Sequence, residues 1–462
     1  MDNTSTERIS ELHALQREFF ATGTTRELRF RKEMLRKLLA ALEKWEKPLY
    51  EALWADLHKS EPEAFLTELS LVNGEIRGHL KHLSRWARTA CKPTPVQMFP
   101  SRSRVVREPL GSALIIAPWN YPVQLLLNPL VGAISAGCTA LLKPSPYVPN
   151  VSRVLGEMIA ETFDERYIAV VQGNRDVNTA LLDLRWDIIF FTGSPALGRI
   201  VMQAASKNLT PVVLELGGKS PCFVTAEADI KLAARRLAWG KALNAGQTCI
   251  APDYVLIDKK IRDAFVEEYF RQVHALLGED PQQTDYFVRL VSDKAFARVA
   301  SYISGPEASG TVLGGKVDPV TRYIEPTVIL DPAPDSAVMT TEIFGPVLPV
   351  CTYDTLDEAV AFVNGREKPL ALYFFGNKKD GKSVIRRTSS GGACINDTIM
   401  HVANDKVPFG GVGNSCMGHY HGKLSFDAFT HERAVIVTPR RLDVPFRYMP
   451  YKLYGLFRRF LG

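Results

Sequence analysis

Cys249 is the residue of this sequence best placed to act as a nucleophile. It lies in NAGQTCIAPDY (residues 244–254), a polar, glycine-containing turn that follows a helical pattern. A nucleophilic thiolate needs access to its reactant and backbone donors near the sulfur. Most of the other cysteines have apolar neighbours, as ordinary core residues do. The setting makes Cys249 a candidate nucleophile, and a simple packing role is the alternative.

Glu215 ends the apolar run of VVLELGGKSP (residues 212–221) and is followed by Leu216 and the pair Gly217 and Gly218. At the carboxyl end of a strand in an open α/β sheet, ligands tend to bind. The two glycines allow another chain or a ligand to approach closely. A carboxylate there can face a cleft, although a solvated or salt-bridged side chain is the commoner case.

Two further segments could present donors to a ligand. FFTGSPALGR (residues 190–199) predicts a buried strand, a turn and a helix, so that Gly193, Ser194 and Gly198 could hold a pyrophosphate at the helix N-terminus. APWNYPVQL (residues 117–125) fixes Asn120 between two prolines, where its amide could donate to an oxyanion. An ordinary turn is the alternative for both.

TEIFGPVLPV (residues 341–350) places Glu342 and Phe344 before a glycine, a proline and a strand. A carboxylate beside an aromatic ring could bind a ribose and flank a nicotinamide. A surface loop is the alternative.

The elements that must position these residues follow from the hydrophobic periodicity. Residues 5–90 have helical spacing, whereas residues 112–224 alternate short apolar runs with helical stretches. That alternation predicts an α/β fold with a doubly wound nucleotide-binding sheet. Residues 225–405 repeat the pattern and predict a second α/β domain, with the boundary near Gly217 and Gly218.

Length and composition limit the class of protein. A chain of 462 residues with 46% hydrophobic content is expected to form two or more domains. The net charge of +6 is spread along the chain and does not favour a nucleic-acid partner. No apolar run is long enough to span a bilayer, and the N-terminus lacks a secretory signal pattern.

The seven cysteines are an odd number without a C-x-x-C pair. They fit neither a disulfide framework nor a metal site, so we expect reduced thiols and a cytoplasmic protein. The basic, aromatic C-terminal residues could lie on a membrane surface, but docking onto the protein or a partner subunit is the favoured interpretation.

Taken together, the motifs PWNYP, LLKPS, FTGS, ELGGKSP, GQTC, EIFGPVLP and PFGGVGNS resemble those of the aldehyde dehydrogenase superfamily, in the same order. They cover roughly residues 110 to 420. The chain length, QTCIAPDY and INDTIMHVANDKVPFGGVGNS look most like the class 3 branch, whose members favour medium or long aliphatic and aromatic aldehydes.

The resemblance implies a mechanism. Cys249 would attack the aldehyde, and the Asn120 amide with the backbone N–H of Cys249 would stabilise the oxyanion, at ~3 to 4 kcal/mol per donor. Hydride transfer to NAD or NADP would leave a thioester on Cys249. Glu215 would then activate the water that hydrolyses this thioester to a carboxylic acid.

The resemblance also implies a cofactor site. Lys143 and Ser145 would lie near the adenosine ribose, and Gly193 and Ser194 near the pyrophosphate. The nicotinamide side of the cleft would be formed by Glu342, Phe344 and Trp119. The full set of expected cofactor residues is Trp119, Lys143, Ser145, Gly193, Ser194, Gly198, Leu216, Gly217, Glu342 and Phe344.

Two positions depart from the family pattern. Pro146 stands where many relatives have a glutamate that repels a 2′-phosphate, so NADP becomes plausible beside NAD. Cys416 stands where relatives usually have glycine, and it would be strained if the turn requires a positive φ.

The implied domain organisation has five parts. These are residues 1–99, the N-terminal helical part of the nucleotide-binding domain; 100–111, a strand arm for oligomerisation; 112–217, the nucleotide-binding domain; 218–405, the catalytic domain; and 406–462, a return to the first domain with a C-terminal oligomerisation segment. By the same resemblance we expect a homodimer.

Two rival activities remain open. A CoA-acylating aldehyde dehydrogenase would use a thiol in place of water, which would make Glu215 unnecessary. A cysteine hydrolase or acyltransferase without nicotinamide would need a histidine beside the nucleophile. A non-catalytic relative is disfavoured because Asn120, Glu215 and Cys249 are all present.

Overall fold

Two mostly parallel β-sheets, each flanked by helices, form the body of the protein in a computed structural model. The structure describes residues 3–443, 448–451 and 454–461. The helices are α1 (Thr6–Ala21), α2 (Leu28–Leu57), α3 (Glu61–Ala64), α4 (Ser70–Trp86), α5 (Gln124–Ala136), α6 (Pro149–Thr162), α7 (Arg175–Leu182), α8 (Pro195–Ser206), α9 (Ile230–Ala242), α10 (Arg262–Leu277), α11 (Asp293–Ser304), α12 (Ala337–Thr340), α13 (Leu356–Asn364), α14 (Lys378–Arg387), α15 (Lys423–Ala428) and α16 (Tyr454–Leu461).

The strands are mostly short. They are β1 (Ala90–Lys92), β2 (Arg102–Pro109), β3 (Ser112–Ile116), β4 (Thr139–Lys143), β5 (Ile168–Val170), β6 (Ile188–Thr192), β7 (Val212–Glu215), β8 (Pro221–Val224), β9 (Tyr254–Asp258), β10 (Thr311–Leu313), β11 (Val317–Asp318), β12 (Tyr323–Ile324), β13 (Thr327–Leu330), β14 (Val347–Tyr353), β15 (Ala371–Phe375), β16 (Gly392–Ile395), β17 (Cys416–Met417) and β18 (Thr430–Val437).

The first sheet has the strand order β17-β7-β6-β3-β4-β5, and all of its neighbours are parallel except β17 with β7. Every residue of β3, β4 and β6 is buried. A parallel sheet covered on both faces requires such continuous apolar strands. The order reverses at β3, which places a ligand crevice at the carboxyl ends of β3 and β6.

The second sheet has the order β10-β13-β14-β9-β8-β15-β16, with β10 alone antiparallel to its neighbour. The predicted α/β architecture with a doubly wound sheet is therefore confirmed. Residues 221–395 supply this sheet, and β17 returns the chain to the first one.

A three-stranded antiparallel arm, in the order β1-β2-β18, extends from these sheets. The register of β2 with β18 runs from Pro109↔Thr430 to Arg102↔Val437. From the sequence, only residues 100–111 are expected in the arm, and residues 1–99 are expected in the helical part. The structure adds β1 to the arm, because its three residues pair with β2 after the helical pattern ends at Trp86.

The C-terminal segment, expected to serve oligomerisation or to touch a membrane surface, lies partly outside the described residues, at 444–447, 452–453 and 462. Within the described ranges, no helix combines the length and the apolar character needed to cross a bilayer.

Candidate active site

Segments next to strands of both sheets line one cleft. The carboxyl ends of β3, β6 and β7 carry Asn120, Thr192 and Glu215. They face segments that precede the amino ends of strands in the second sheet, among them those carrying Cys249 and Glu342 before β9 and β14. Residues adjoining both sheets thereby converge on one cleft.

A cavity of about 670 Å³ occupies this cleft. All three candidate catalytic residues line it, and so do seven of the expected cofactor residues. Its lining includes Asn120, Glu215, Cys249, Trp119, Gly193, Ser194, Leu216, Gly217, Glu342 and Phe344. The rings of Trp119 and Phe344 meet edge to face at a centroid distance of 5.4 Å.

A second cavity of about 580 Å³ opens on the other side of Cys249. It is lined mainly by apolar and aromatic side chains, including Tyr121, Trp239, Leu243, Met400, Phe409 and Tyr420. The two cavities share five lining residues, which are Leu125, Thr192, Glu215, Leu216 and Cys249. The first cavity also has charged lining residues such as Lys219 and Arg298 and is the more polar of the two, so Cys249 and Glu215 lie where a more polar cavity meets a more apolar one.

Three expected cofactor residues do not line either of these cavities. Lys143 ends β4, and its Nζ donates to the Pro144 carbonyl at 2.8 Å. Burial lowers the pKa of this amine to about 8. Ser145 lies two residues after Lys143. Gly198 is buried in α8, and a Cβ at this position would lie 2.6 Å from Leu216 Cδ2. The glycine therefore permits close packing of α8 against the end of β7.

The loop before Cys249 is strained and is held by side chains from other elements. Asn244, Ala245 and Gly246 all have positive φ, at 52°, 51° and 71°. A left-handed alanine costs of order 1–2 kcal/mol, so surrounding contacts must stabilise the loop. Asn244 N–H donates to Glu63 Oε1 at 2.8 Å, and its Nδ2 donates to the Asn120 carbonyl at 2.9 Å.

Gln247 holds the other end of this loop. Its Nε2 donates to the Arg289 carbonyl at 3.1 Å, and its Oε1 accepts from Val291 N–H at 3.0 Å. The Gln247 carbonyl accepts from Asn120 Nδ2 at 3.0 Å. An amide nitrogen carries two hydrogens, so Asn120 keeps one donor beyond this bond.

A fully buried ion pair fixes the loop that carries Asn120. Lys59 Nζ donates to Glu68 Oε1 at 2.6 Å and to the Asn120 carbonyl at 3.1 Å. Glu68 Oε2 accepts from the backbone N–H groups of Val123 and Gln124, at 2.8 and 3.3 Å. Glu68 belongs to the π-helical turn Phe65–Leu69, an irregularity that often marks functional positions.

Glu215 is 3% exposed and is only partly hydrogen bonded. Its Oε1 accepts from the Cys416 thiol at 3.2 Å, whereas its Oε2 is buried and has no partner. Burial raises the pKa of this carboxyl well above its usual range. The hydrogen bond from the Cys416 thiol lowers the pKa, but by less than burial raises it. A buried carboxyl with one free oxygen is suited to exchanging a proton with a reactant.

Cys249 is half-buried, and its thiol is not stabilised as a thiolate in this structure. Burial raises its pKa, and the carboxyls of Glu342 and Glu215 raise it further. The backbone N–H groups of Cys249 and Ile250 act in the opposite direction. The backbone donors expected from the sequence are therefore present, but they do not outweigh desolvation.

Glu342 approaches the end of β7 very closely. A Cβ at Gly217 would lie 2.1 Å from Glu342 Oε2, so this contact requires glycine. Burial raises the pKa of Glu342 to about 8. Two cations hold the loop that carries Glu342. Arg298 donates to the carbonyls of Glu342 and Ile343. Lys219 pairs with Asp253 and donates to the Thr341 carbonyl.

Sequence reasoning missed several residues of this site. Lys219 stands in the ELGGKSP motif and could have been found there as a cation beside the candidate base. Arg298 comes from α11 and Lys59 from the end of α2, far from any motif. Only the folded chain brings these residues to the cleft.

The backbone of Cys416 does not have the positive φ that would strain a residue with a side chain. Its φ is −174°, which is extended and open to any residue, and it pairs with Glu215 in the β17–β7 bridge. The positive φ values of this segment fall on Gly413 and Gly418 instead.

Known proteins match this chain along most of its length. A model of the aldehyde dehydrogenase family matches residues 3–435. The chain belongs to this family.

Two relatives and one solved structure illustrate how close the similarity is. The 4,4'-diaponeurosporen-aldehyde dehydrogenase of Staphylococcus aureus is 46% identical over 435 residues, which cover 94% of this chain and 95% of that protein. The dimeric NADP-preferring aldehyde dehydrogenase of Canis lupus familiaris is 43% identical, with 94% and 95% covered. A substrate-bound structure of Staphylococcus aureus AldH superposes with a TM-score of 0.96 at 44% identity, covering 98% of this chain and 99% of that one.

Substitution of one partner of the buried pair should destabilise this aldehyde dehydrogenase. Lys59→Met leaves Glu68 charged and unpaired, which costs about 3–5 kcal/mol. At ~2.1 cal/mol/K per residue, that corresponds to a fall in the apparent Tm of about 3–5 °C for a chain of this length. Differential scanning calorimetry of the variant and the unmodified protein measures this fall in Tm.

The matched control is Lys207→Met, because Lys207 forms an exposed pair with Asp183 at 3.8 Å and exposed pairs contribute little. The double variant Lys59→Met/Glu68→Gln removes the charge but keeps an acceptor for the N–H groups of Val123 and Gln124, so it should lose less stability than Lys59→Met alone. A double variant that is less stable than the single one would contradict the isolated-charge explanation.

Proposed function

We propose that this chain oxidises aldehydes to carboxylic acids with a nicotinamide cofactor, through a thioester on Cys249. The observation that carries the proposal is that Cys249 and Glu215 line both the polar and the apolar cavity. A cofactor in one cavity and an aldehyde in the other would meet at these two residues.

In the first step Cys249 loses its thiol proton to solvent, and the thiolate adds to the aldehyde carbonyl carbon to form an anionic thiohemiacetal. The carbonyl oxygen gains negative charge, which the free N–H of the Asn120 amide and the backbone N–H of Cys249 stabilise. Lys59, Asn244 and Gln247 hold Asn120 and the Cys249 loop in place, so the donors need little reorganisation.

The polar cavity fits a nicotinamide cofactor because buried polar atoms there lack partners. These are Thr192 Oγ1 and Glu342 Oε1. Glu342 and Phe344 would hold the nicotinamide ribose and Trp119 would line the same cleft, while Gly193 and Ser194 at the start of α8 would bind the pyrophosphate. A bound nicotinamide supplies the hydride acceptor that turns the thiohemiacetal into a thioester.

Glu215 then acts as the general base for hydrolysis. Its unpartnered Oε2 takes a proton from water, and the hydroxide attacks the thioester and releases the acid and the Cys249 thiol. This role argues against the CoA-acylating alternative. The cysteine hydrolase alternative also loses support, because among the described residues the Cys–His hydrogen bond is that of Cys394 with His401, at 3.5 Å, and not one to Cys249.

The apolar cavity indicates the substrate class. Apart from Glu63 and Glu215 its walls are uncharged and mainly apolar, with Trp239, Leu243 and Phe409 among them, and burial of each methylene stabilises binding by ~0.8 kcal/mol. Medium or long aliphatic and aromatic aldehydes fit such a cavity.

Pro146 bears on the choice between NAD and NADP. It is exposed in the turn after β4, next to Ser145 and near Lys143, the two residues that we assign to the adenosine ribose. A proline there does not repel a 2′-phosphate, so we propose that the enzyme accepts NADP as well as NAD.

The assembly and the location are also part of the proposal. In the described chain β18 pairs only with β2, and it leaves an open edge on the arm that a second subunit can cover. We propose a homodimer. All seven cysteines are free, as expected for a cytoplasmic enzyme.

Replacement of Glu215 should separate the two halves of the reaction. Glu215→Gln should give a burst of about one reduced cofactor per chain and then turn over ~10²- to 10⁴-fold more slowly, because no base activates water. Stopped-flow absorbance with NAD or NADP and a panel of aliphatic and aromatic aldehydes measures both phases.

Two variants control this experiment. Cys249→Ala should show neither burst nor turnover, while Glu227→Gln, which alters an exposed carboxylate bonded to Asn377, should behave as the unmodified enzyme. Loss of the burst in Glu215→Gln would assign Glu215 an earlier role and would contradict the proposal.

A carboxylate at position 146 should restore discrimination against NADP. Pro146→Glu should lower the ratio of kcat/KM for NADP to that for NAD by about tenfold or more, through repulsion of the 2′-phosphate. The neutral control Pro146→Gln should leave the ratio near its starting value. An unchanged ratio in Pro146→Glu would place the adenosine ribose elsewhere.

A further inference from the structure

Cys416 lies against the candidate base, in a part of the site that the reaction described above does not use. It is 5% exposed, and its backbone pairs with that of Glu215 across the β17–β7 bridge. Its Sγ lies 3.2 Å from Glu215 Oε1 and 3.2 Å from the Gly418 carbonyl oxygen. The N–H of Gly411 points at the same sulfur.

We propose that Cys416 is a positioning residue for hydrolysis of the thioester, whose thiol donates to Glu215 Oε1 and leaves Oε2 free to take the proton of water. The inference rests on the role proposed for Glu215 as the base. It goes beyond that role because it assigns a function to a second thiol.

The hydrogen-bond pattern of Glu215 supports this assignment. One carboxyl oxygen is bonded to the thiol, and the other is buried without a partner in a side chain that lines both cavities. A bond to one oxygen restricts rotation of the carboxyl group. The free oxygen is then presented to the cleft that contains Cys249.

The position of the sulfur is itself fixed by the backbone. The Ser415 carbonyl accepts from Leu216 N–H at 3.1 Å, and Met417 pairs with Leu214, so β17 cannot slide along β7. The thiol has one proton and two acceptors at equal distance. It can donate to Glu215 while the carboxylate is charged, and to Gly418 once Glu215 has taken a proton.

A donor to the charged form of an acid lowers its pKa. The Cys416 thiol therefore opposes the effect of burial, which raises the pKa of Glu215. The other titratable groups near Glu215 are Cys249, Tyr420 and Glu342, and burial raises the pKa of each. Lys219 lines the same cavity, but it is paired with Asp253. The thiol bond is thus the contact that favours ionised Glu215.

Removal of the thiol should shift the pH dependence of hydrolysis. In Cys416→Ala the pKa of Glu215 rises, so the acid limb of the thioester decay rate should move upward by about one pH unit. Decay is measured by mixing enzyme with cofactor and limiting aldehyde, quenching with acid at intervals, and following the acyl-enzyme by intact mass at several pH values. The burst of reduced cofactor and the KM for aldehyde should stay unchanged.

Conservative rescue distinguishes positioning from packing. Cys416→Ser keeps a donor at the same place and should retain an acid limb near that of the unmodified enzyme. Cys351→Ala is the matched control, since Cys351 is a half-buried thiol of β14 that lines neither cavity. The Cys351→Ala variant should leave the acid limb of the thioester decay rate unchanged.

Two results would overturn the inference: an acid limb in Cys416→Ala that coincides with the unmodified enzyme, or a serine variant that behaves as the alanine variant does. Either result leaves the proposed function intact. That function fails separately, if Glu215→Gln does not slow decay of the acyl-enzyme.

Discussion

The constraint on which the site depends is that three acidic groups share one water-poor cleft. Cys249, Glu215 and Glu342 line the same cavity, and burial raises the pKa of each. The carboxyls of Glu342 and Glu215 oppose ionisation of the Cys249 thiol, so a negative charge on one of these groups disfavours a charge on the next. A reaction that moves a proton from one group to the next suits this environment.

The same constraint explains the supporting structure. Buried acids must be held at fixed separations, and the loops that carry them come from both sheets. Lys59 and Glu68 fix the Asn120 loop from inside, while Asn120 in turn holds the left-handed turn before Cys249. Lys219 and Arg298 fix the Glu342 loop from the other side. Strain at Ala245 and the charge of Lys59 are both stabilised by this shared network.

Much of this organisation could be predicted from the sequence, for physical reasons. Continuous apolar runs such as TALLK and YVLID predict buried parallel strands because period and length distinguish them from surface elements, and the structure has β4 and β9 at those residues. Asn120, Glu215 and Cys249 could be found because each follows or precedes a strand in a glycine- or proline-containing turn. The three-residue strand β1 and the two-residue strand β11 carry too little pattern to be recognised.

The electrostatics of the site could not be predicted in this way. Desolvation of Cys249 depends on residues from both domains, and the pair of Lys59 with Glu68 looks in the sequence like any two charges on a helical surface. Contact of Cys416 with Glu215 joins residues 201 positions apart, through the bridge that β17 makes with β7. Distances between residues so far apart in the sequence are set only when the chain has folded.

Peptide mapping of the enzyme during turnover tests the central claim most directly. The enzyme is mixed with cofactor and a long-chain aldehyde, quenched in acid within milliseconds, digested and weighed. The account predicts an acyl group, with the mass of the substrate acid less water, on the peptide of residues 242–259 that contains Cys249. Turnover without any acyl adduct on that peptide, or with the adduct on another cysteine, would contradict it.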